Sequence, residues 1–112
     1  MNKMYPQSNS QIAGKRRELA PAQQAAFEAF GKAVFSEGAL SAMTKQIIAV
    51  AVAHVTQCPY CIRGHTKAAL RAGATQQELM EAIWVAAEMR AGGSYAHAAL
   101  MIDEASEPAK TG

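Results

Sequence analysis

Cys58 and Cys61 are separated only by Pro59 and Tyr60, and His65 follows four residues after the second cysteine. On a helix that begins at Cys58 or Pro59, Cys58, Cys61 and His65 fall at i, i+3 and i+7 and share one face. The first cysteine then stands where unpaired backbone N–H groups and the positive helix end favour an anion, and so a thiolate. His65, one turn beyond Cys61, can take or return a proton. Two sulfurs at this spacing can close a disulfide, given rotation in the first turn. These residues suffice for a dithiol–disulfide cycle that needs no cofactor.

The same residues admit other readings. His54, Cys58, Cys61 and His65 supply two nitrogens and two sulfurs, a set that zinc takes tetrahedrally. Against zinc, His54 precedes Pro59 on a different helix. Four ligands so close in sequence require a tight knuckle, whereas zinc ribbons draw on two separated pairs. Two cysteines in an apolar domain can also be simply buried. Tyr60 either packs or offers its hydroxyl to a sulfur. His54, set in an apolar run, reads as a core histidine with its polar atoms satisfied. Glu88 is either a solvated residue or a carboxylate turned toward the thiols. Met80, Met89 and Met101 read as core filler, and His97 receives no role.

The elements that must position this cluster read as helices. Pro21 suits a first helical turn, and Ala26, Phe27, Phe30 and Val34 make one apolar face of a helix over 22–35 that Gly38 ends. Ser41 or Thr44 can cap the next element, which runs through Gln46 to Thr56. Its alternation of Ile48, Val50 and Val52 with alanines also fits a strand. The length of the apolar stretch and its alanine content favour a helix buried on nearly all sides. A third helix starts at Pro59 and stops at Gly73. Thr75-Gln76-Gln77-Glu78 is a capping box that opens a fourth, with Leu79, Ile83 and Ala87 on one stripe. Gly92-Gly93 either breaks the chain or allows two helices to approach closely, and a last helix covers 94–104. The expected organisation is an irregular lead-in over 1–20, a single all-α domain over 21–105, and a flexible tail over 106–112.

At 112 residues the chain suits one small domain. Half of it is hydrophobic, but much of that is alanine and only 6% is aromatic, so large core side chains are scarce. Such a domain gains stability by burying helix faces against copies of itself, which points to a homo-oligomer. The net charge of +2 is mild. The one basic run, Lys15-Arg16-Arg17, reads as solvated, so no nucleic-acid partner is expected. The apolar run from Ile47 to Val55 is too short to span a bilayer, and no signal-peptide core precedes it. No membrane partner is expected, and the location expected is cytoplasmic, where two cysteines three apart are redox-active or metal-binding rather than a structural staple.

From about Leu40 to Ala99 the chain resembles the alkylhydroperoxidase-D-like group of the carboxymuconolactone decarboxylase superfamily. The residues that carry the resemblance are Thr44 to Ala49, Cys58 to Leu70 with its CxxCxxxH pattern, and the Ala72-Gly73-Ala74-Thr75 joint. The resemblance implies an all-α fold with a helical-hairpin core, assembly into trimers or hexamers, and thiol peroxidase or disulfide reductase chemistry. It implies a proton relay through Cys58, Tyr60, Cys61 and His65, with Cys61 attacking peroxide and Cys58 resolving the product. The relay glutamate of that group falls on Gln46, a departure, because an amide cannot accept a proton at neutral pH. His54 or Glu88 then stand as substitute groups.

Two functions follow as expectations. One is a thiol-dependent redox enzyme that acts on a peroxide or disulfide and is reset by an external dithiol. The other is a non-enzymatic helical oligomer whose His/CxxC/His cluster binds zinc or senses oxidation.

Overall fold

The computed structural model describes residues 4–106. It is all-α: 82% helical, with five helices and no strand among the described residues. The helices are α1 (Ser10–Leu19), α2 (Pro21–Phe35), α3 (Ala42–Thr56), α4 (Pro59–Arg71) and α5 (Gln76–Ser106). The chain divides into two compact units, Met1–Lys45 and Gln46–Gly112, with the boundary inside α3.

In the first unit the expected irregular lead-in is replaced in part by α1. Asn9 caps it, its side chain accepting from the Ile12 N–H at 2.9 Å. Four of the ten residues of α1 are charged, and Ile12, Ala13 and Leu19 make no continuous apolar stripe by which a sequence could announce it. Its junction with α2 is the single residue Ala20, and Pro21 takes the first turn of α2. Arg17 of α1 reaches the Glu28 carboxylate of α2 at 3.4 Å. A hydrogen bond from Gln24, chiefly, and Arg17 after it hold that exposed carboxyl below the ordinary range. Ser41 rather than Thr44 caps α3, accepting from the Thr44 N–H at 3.1 Å, while Glu37 accepts from the Ala42 N–H at 2.9 Å.

The second unit holds the buried core: Val50 and Ala53 of α3, Ala69 of α4, Ala74 of the joint, and Leu79 and Ala86 of α5. Four of these six are alanines, which lets helix backbones approach closely but buries little apolar area per residue.

Both helix ends that frame α4 are closed by the same device. At the end of α4, Gly73 takes φ 105°, the Ala74 N–H reaches the Ala69 carbonyl at 3.0 Å, and the Gly73 N–H reaches Leu70 at 3.1 Å. At the end of α3, the Cys58 N–H reaches the Ala53 carbonyl at 3.2 Å, and the left-handed position, φ 58°, is occupied by Gln57. A side chain there costs about 1 kcal/mol relative to a right-handed residue.

α5 begins with the capping box: the Thr75 N–H donates to Glu78 Oε1 at 2.8 Å, and the Glu78 N–H to Thr75 Oγ1 at 3.1 Å. It then runs 31 residues without a break, so Gly92-Gly93 neither ends it nor starts a separate helix at Ser94. Two glycines weaken a helix by roughly 2 kcal/mol together but leave its hydrogen-bond ladder intact. Met80, Met89 and Met101 are exposed, contrary to their reading as core filler. The flexible tail expected over 106–112 falls, after Ser106, outside the described residues.

Candidate functional site

The site assembles where α3 hands the chain to α4. After the left-handed turn at Gln57, Cys58 is the N-cap of α4 in an extended conformation, and Pro59 fills the first helical position. The Cys61 N–H donates to Cys58 Sγ at 3.2 Å, so a sulfur takes the capping role that a Ser or Asp oxygen usually fills. Cys58 and Cys61 are joined as a disulfide, with Cα atoms 5.2 Å apart. Both cysteines are half-buried. Tyr60, between them on the first turn, is 42% exposed.

His65 stands one turn beyond Cys61 and is half-buried. Its Nδ1 lies 2.7 Å from Oε1 of Gln46 on α3. An amide oxygen only accepts, so Nδ1 carries the proton and Nε2 carries the lone pair of the neutral ring. The residue at the departed glutamate position therefore does meet the histidine, and it fixes the tautomer without taking the proton. Arg90 of α5 donates to the Val55 carbonyl at 3.3 Å, satisfying one of the open carbonyls at the C-terminal end of α3 just before the site.

The other candidates lie apart from this cluster. Nδ1 of His54 is hydrogen-bonded at 2.7 Å to the Val50 carbonyl one turn back on its own helix. Glu88 is exposed on α5, with its carboxylate folded over Gly92 and no hydrogen bond to His65, Gln46 or either sulfur. Of the residues in the zinc alternative, His54, Cys58, Cys61 and His65, the two cysteines are joined to each other in this oxidised state. Among the described residues no three His, Cys, Asp or Glu side chains are placed to hold a metal ion. No helix among them is long and apolar enough to cross a membrane.

One feature went unread in the sequence. A cleft of about 480 Å³ opens beside the disulfide, lined by His54, Gln57, Pro59, Ile62 and Arg63. Gln57 escaped notice because a left-handed position is ordinarily flagged by glycine or asparagine. Arg63 escaped because nothing local sets a cleft arginine apart from a solvated one.

Known proteins resemble this chain. The profile of the carboxymuconolactone decarboxylase family matches residues 21–104. A Paracoccus denitrificans protein named "Uncharacterized protein 4 in cox locus" is 70% identical over 73 residues, 65% of this chain and 66% of that protein. The chain thus spans slightly less than two thirds of that relative's length. An uncharacterized protein of Cupriavidus necator is 38% identical over 79 residues, covering 70% of each. A crystal structure from Methanobacterium thermoautotrophicum superposes with a TM-score of 0.71 at 40% identity, covering 75% of this chain and 94% of that one. The crystal structure of a carboxymuconolactone decarboxylase family protein from Legionella pneumophila gives a TM-score of 0.69 at 34% identity, covering 80% of each chain.

Proposed function

The chain belongs to the carboxymuconolactone decarboxylase family, and from that premise we propose that it is a thiol-dependent redox enzyme that reduces a peroxide. The observation that carries the reading is the Cys58–Cys61 pair at the head of α4, with one sulfur held by a helix N–H.

In the reduced protein the Cys61 thiolate attacks the distal oxygen of a hydroperoxide. The S–O bond forms, the O–O bond breaks, and the alcohol leaves with a proton delivered through His65, giving a sulfenic acid on Cys61. The Cys58 thiolate then attacks that sulfur. The S–S bond forms and the S–O bond breaks, and the oxygen leaves as hydroxide, which takes a proton from solvent to become water. An external dithiol restores both thiols and is itself oxidised to a disulfide. The cap position suits Cys58 to its two tasks, which are to attack as a thiolate and to leave as one when the disulfide is reduced. Gln46 keeps the ring of His65 in one tautomer and orientation during these transfers.

The reading includes a homo-oligomer, a trimer or hexamer, in a reducing cytoplasm. Supporting assembly, Trp84 and Met89 of α5 are each more than 60% exposed, as are Phe27 and Phe30 of α2, and exposed large apolar side chains mark protein contacts. The test is coupled turnover: pre-reduced protein with a small dithiol and an organic hydroperoxide. Turnover that disappears in both Cys58→Ser and Cys61→Ser supports the assignment. Dithiol oxidation no faster than without protein refutes it.

A further inference from the structure

The cleft near the disulfide has the size of a small-molecule site, opens widely to solvent and presents a mainly apolar lining with a few polar groups at it. Its two apolar members each follow a cysteine directly: Pro59 follows Cys58 and Ile62 follows Cys61. Successive residues of a helix are about 100° apart around its axis, so the Pro59–Ile62 face adjoins the face of the two sulfurs on the same turn. A ligand resting on Pro59 and Ile62 therefore lies alongside the sulfurs rather than on top of them. The cleft anchors; the sulfurs react.

Its polar members define what is anchored. Arg63 is exposed and makes no ion pair or hydrogen bond with any described residue, so its guanidinium fork is available to a ligand. Gln57, whose left-handed φ of 58° closes α3, also lines the cleft and brings an amide-bearing side chain to that residue set. The ring of His54 is fixed by its bond to Val50 and forms a rigid wall. One guanidinium and one amide, with no second cation among the lining residues, match a single negative charge with two acceptor oxygens, a carboxylate, better than a phosphate.

We propose that the cleft lined by Pro59, Ile62, Gln57 and Arg63 is an anchoring subsite for the carboxylate end of an organic substrate whose reactive group reaches the Cys58–Cys61 pair. The inference rests on the redox reading for what happens at the sulfurs, but binding at the cleft does not depend on it. Arg63 and Gln57 act as specificity-determining residues, and they discriminate between charged and neutral forms of one substrate skeleton.

Two measurements test this. The first compares cumene hydroperoxide with its para-carboxylate as substrates. In the wild type the ratio of kcat/KM, carboxylated over neutral, exceeds one. Loss of a charge-assisted bidentate contact lowers that ratio about 10–100-fold in Arg63→Gln, and Arg63→Lys recovers part of it. Gln57→Gly lowers it by a smaller factor. An unchanged ratio in Arg63→Gln overturns the proposal. The second measurement titrates benzoate into the oxidised protein and follows backbone amide shifts by NMR. Saturable shifts centred on Ile62 and Arg63, lost in Arg63→Gln, support the subsite. Absent shifts, shifts that persist in that variant, or equal binding of inorganic phosphate overturn it. Should the wild type consume neither peroxide, the redox reading falls and the benzoate titration alone decides the subsite.

Discussion

Nδ1 of His65 stands 2.7 Å from Oε1 of Gln46, an amide brought to it from nineteen residues earlier in the chain. The contact joins α3 to α4 and holds the imidazole in one tautomer. The amide orients the ring but cannot take its proton, whereas a carboxylate in the same place could.

Replacing Gln46 by glutamate therefore raises peroxide turnover, by as much as the ~10²–10⁴-fold that a positioned proton acceptor contributes. The pH profile moves as well. A carboxylate beside the ring favours the imidazolium, so the limb that requires neutral His65 shifts to higher pH. Peroxide consumption with a small dithiol, followed from pH 5 to 9, checks both effects. Glu88→Gln, measured beside it, leaves turnover as in the wild type, because that carboxylate is exposed and bonded to none of the site residues. Loss of turnover in Glu88→Gln would instead make it the acid that Gln46 is not.

The capping box of α5 offers a test of stability. Thr75→Ala removes the hydroxyl that accepts from the Glu78 N–H and lowers stability by about 1 kcal/mol. Urea unfolding followed by circular dichroism gives the value. The same stability as the wild type would show that the first turn of α5 finds other partners.

Helix ends were the most legible part of this chain, because their signals are local. Pro21, Pro59, Gly73 and the Thr75–Glu78 pair each act within one turn, and each holds its expected place. The ambiguous run Ile47–Val55 is helical, as its alanines favoured. Signals that depend on context failed. Gly92-Gly93 has the composition of a break, yet nothing stops the ladder there, and the helix continues to Ser106. α1 has a cap but no apolar face, so periodicity could not find it. At the site, the spacing of Cys58 and Cys61 announced their disulfide. The pairing of Gln46 with His65 is a contact between helices, and only the family resemblance pointed to it.

Assembly gives a further prediction. Trp84 is 66% exposed on α5 in the single chain. Light scattering at micromolar concentration gives the mass of a trimer or hexamer, and Trp84→Glu, which sets an unpaired charge in the contact, shifts the protein toward smaller species. A wild-type monomer of 11.9 kDa would contradict the assembly.

The dithiol cycle itself is tested most directly by a single turnover. Reduced wild type, Cys58→Ser and Cys61→Ser are each mixed with one equivalent of hydroperoxide and analysed by intact-mass spectrometry. The expected result is that the wild type loses two hydrogens, as its sulfurs close within one peptide. Cys58→Ser gains one oxygen, a sulfenic acid held on Cys61 with no partner to resolve it, and Cys61→Ser stays unchanged on the same timescale. Oxygen gained by Cys61→Ser and not by Cys58→Ser would reverse the roles of the two cysteines. Wild-type thiols that survive the peroxide intact would contradict the redox function.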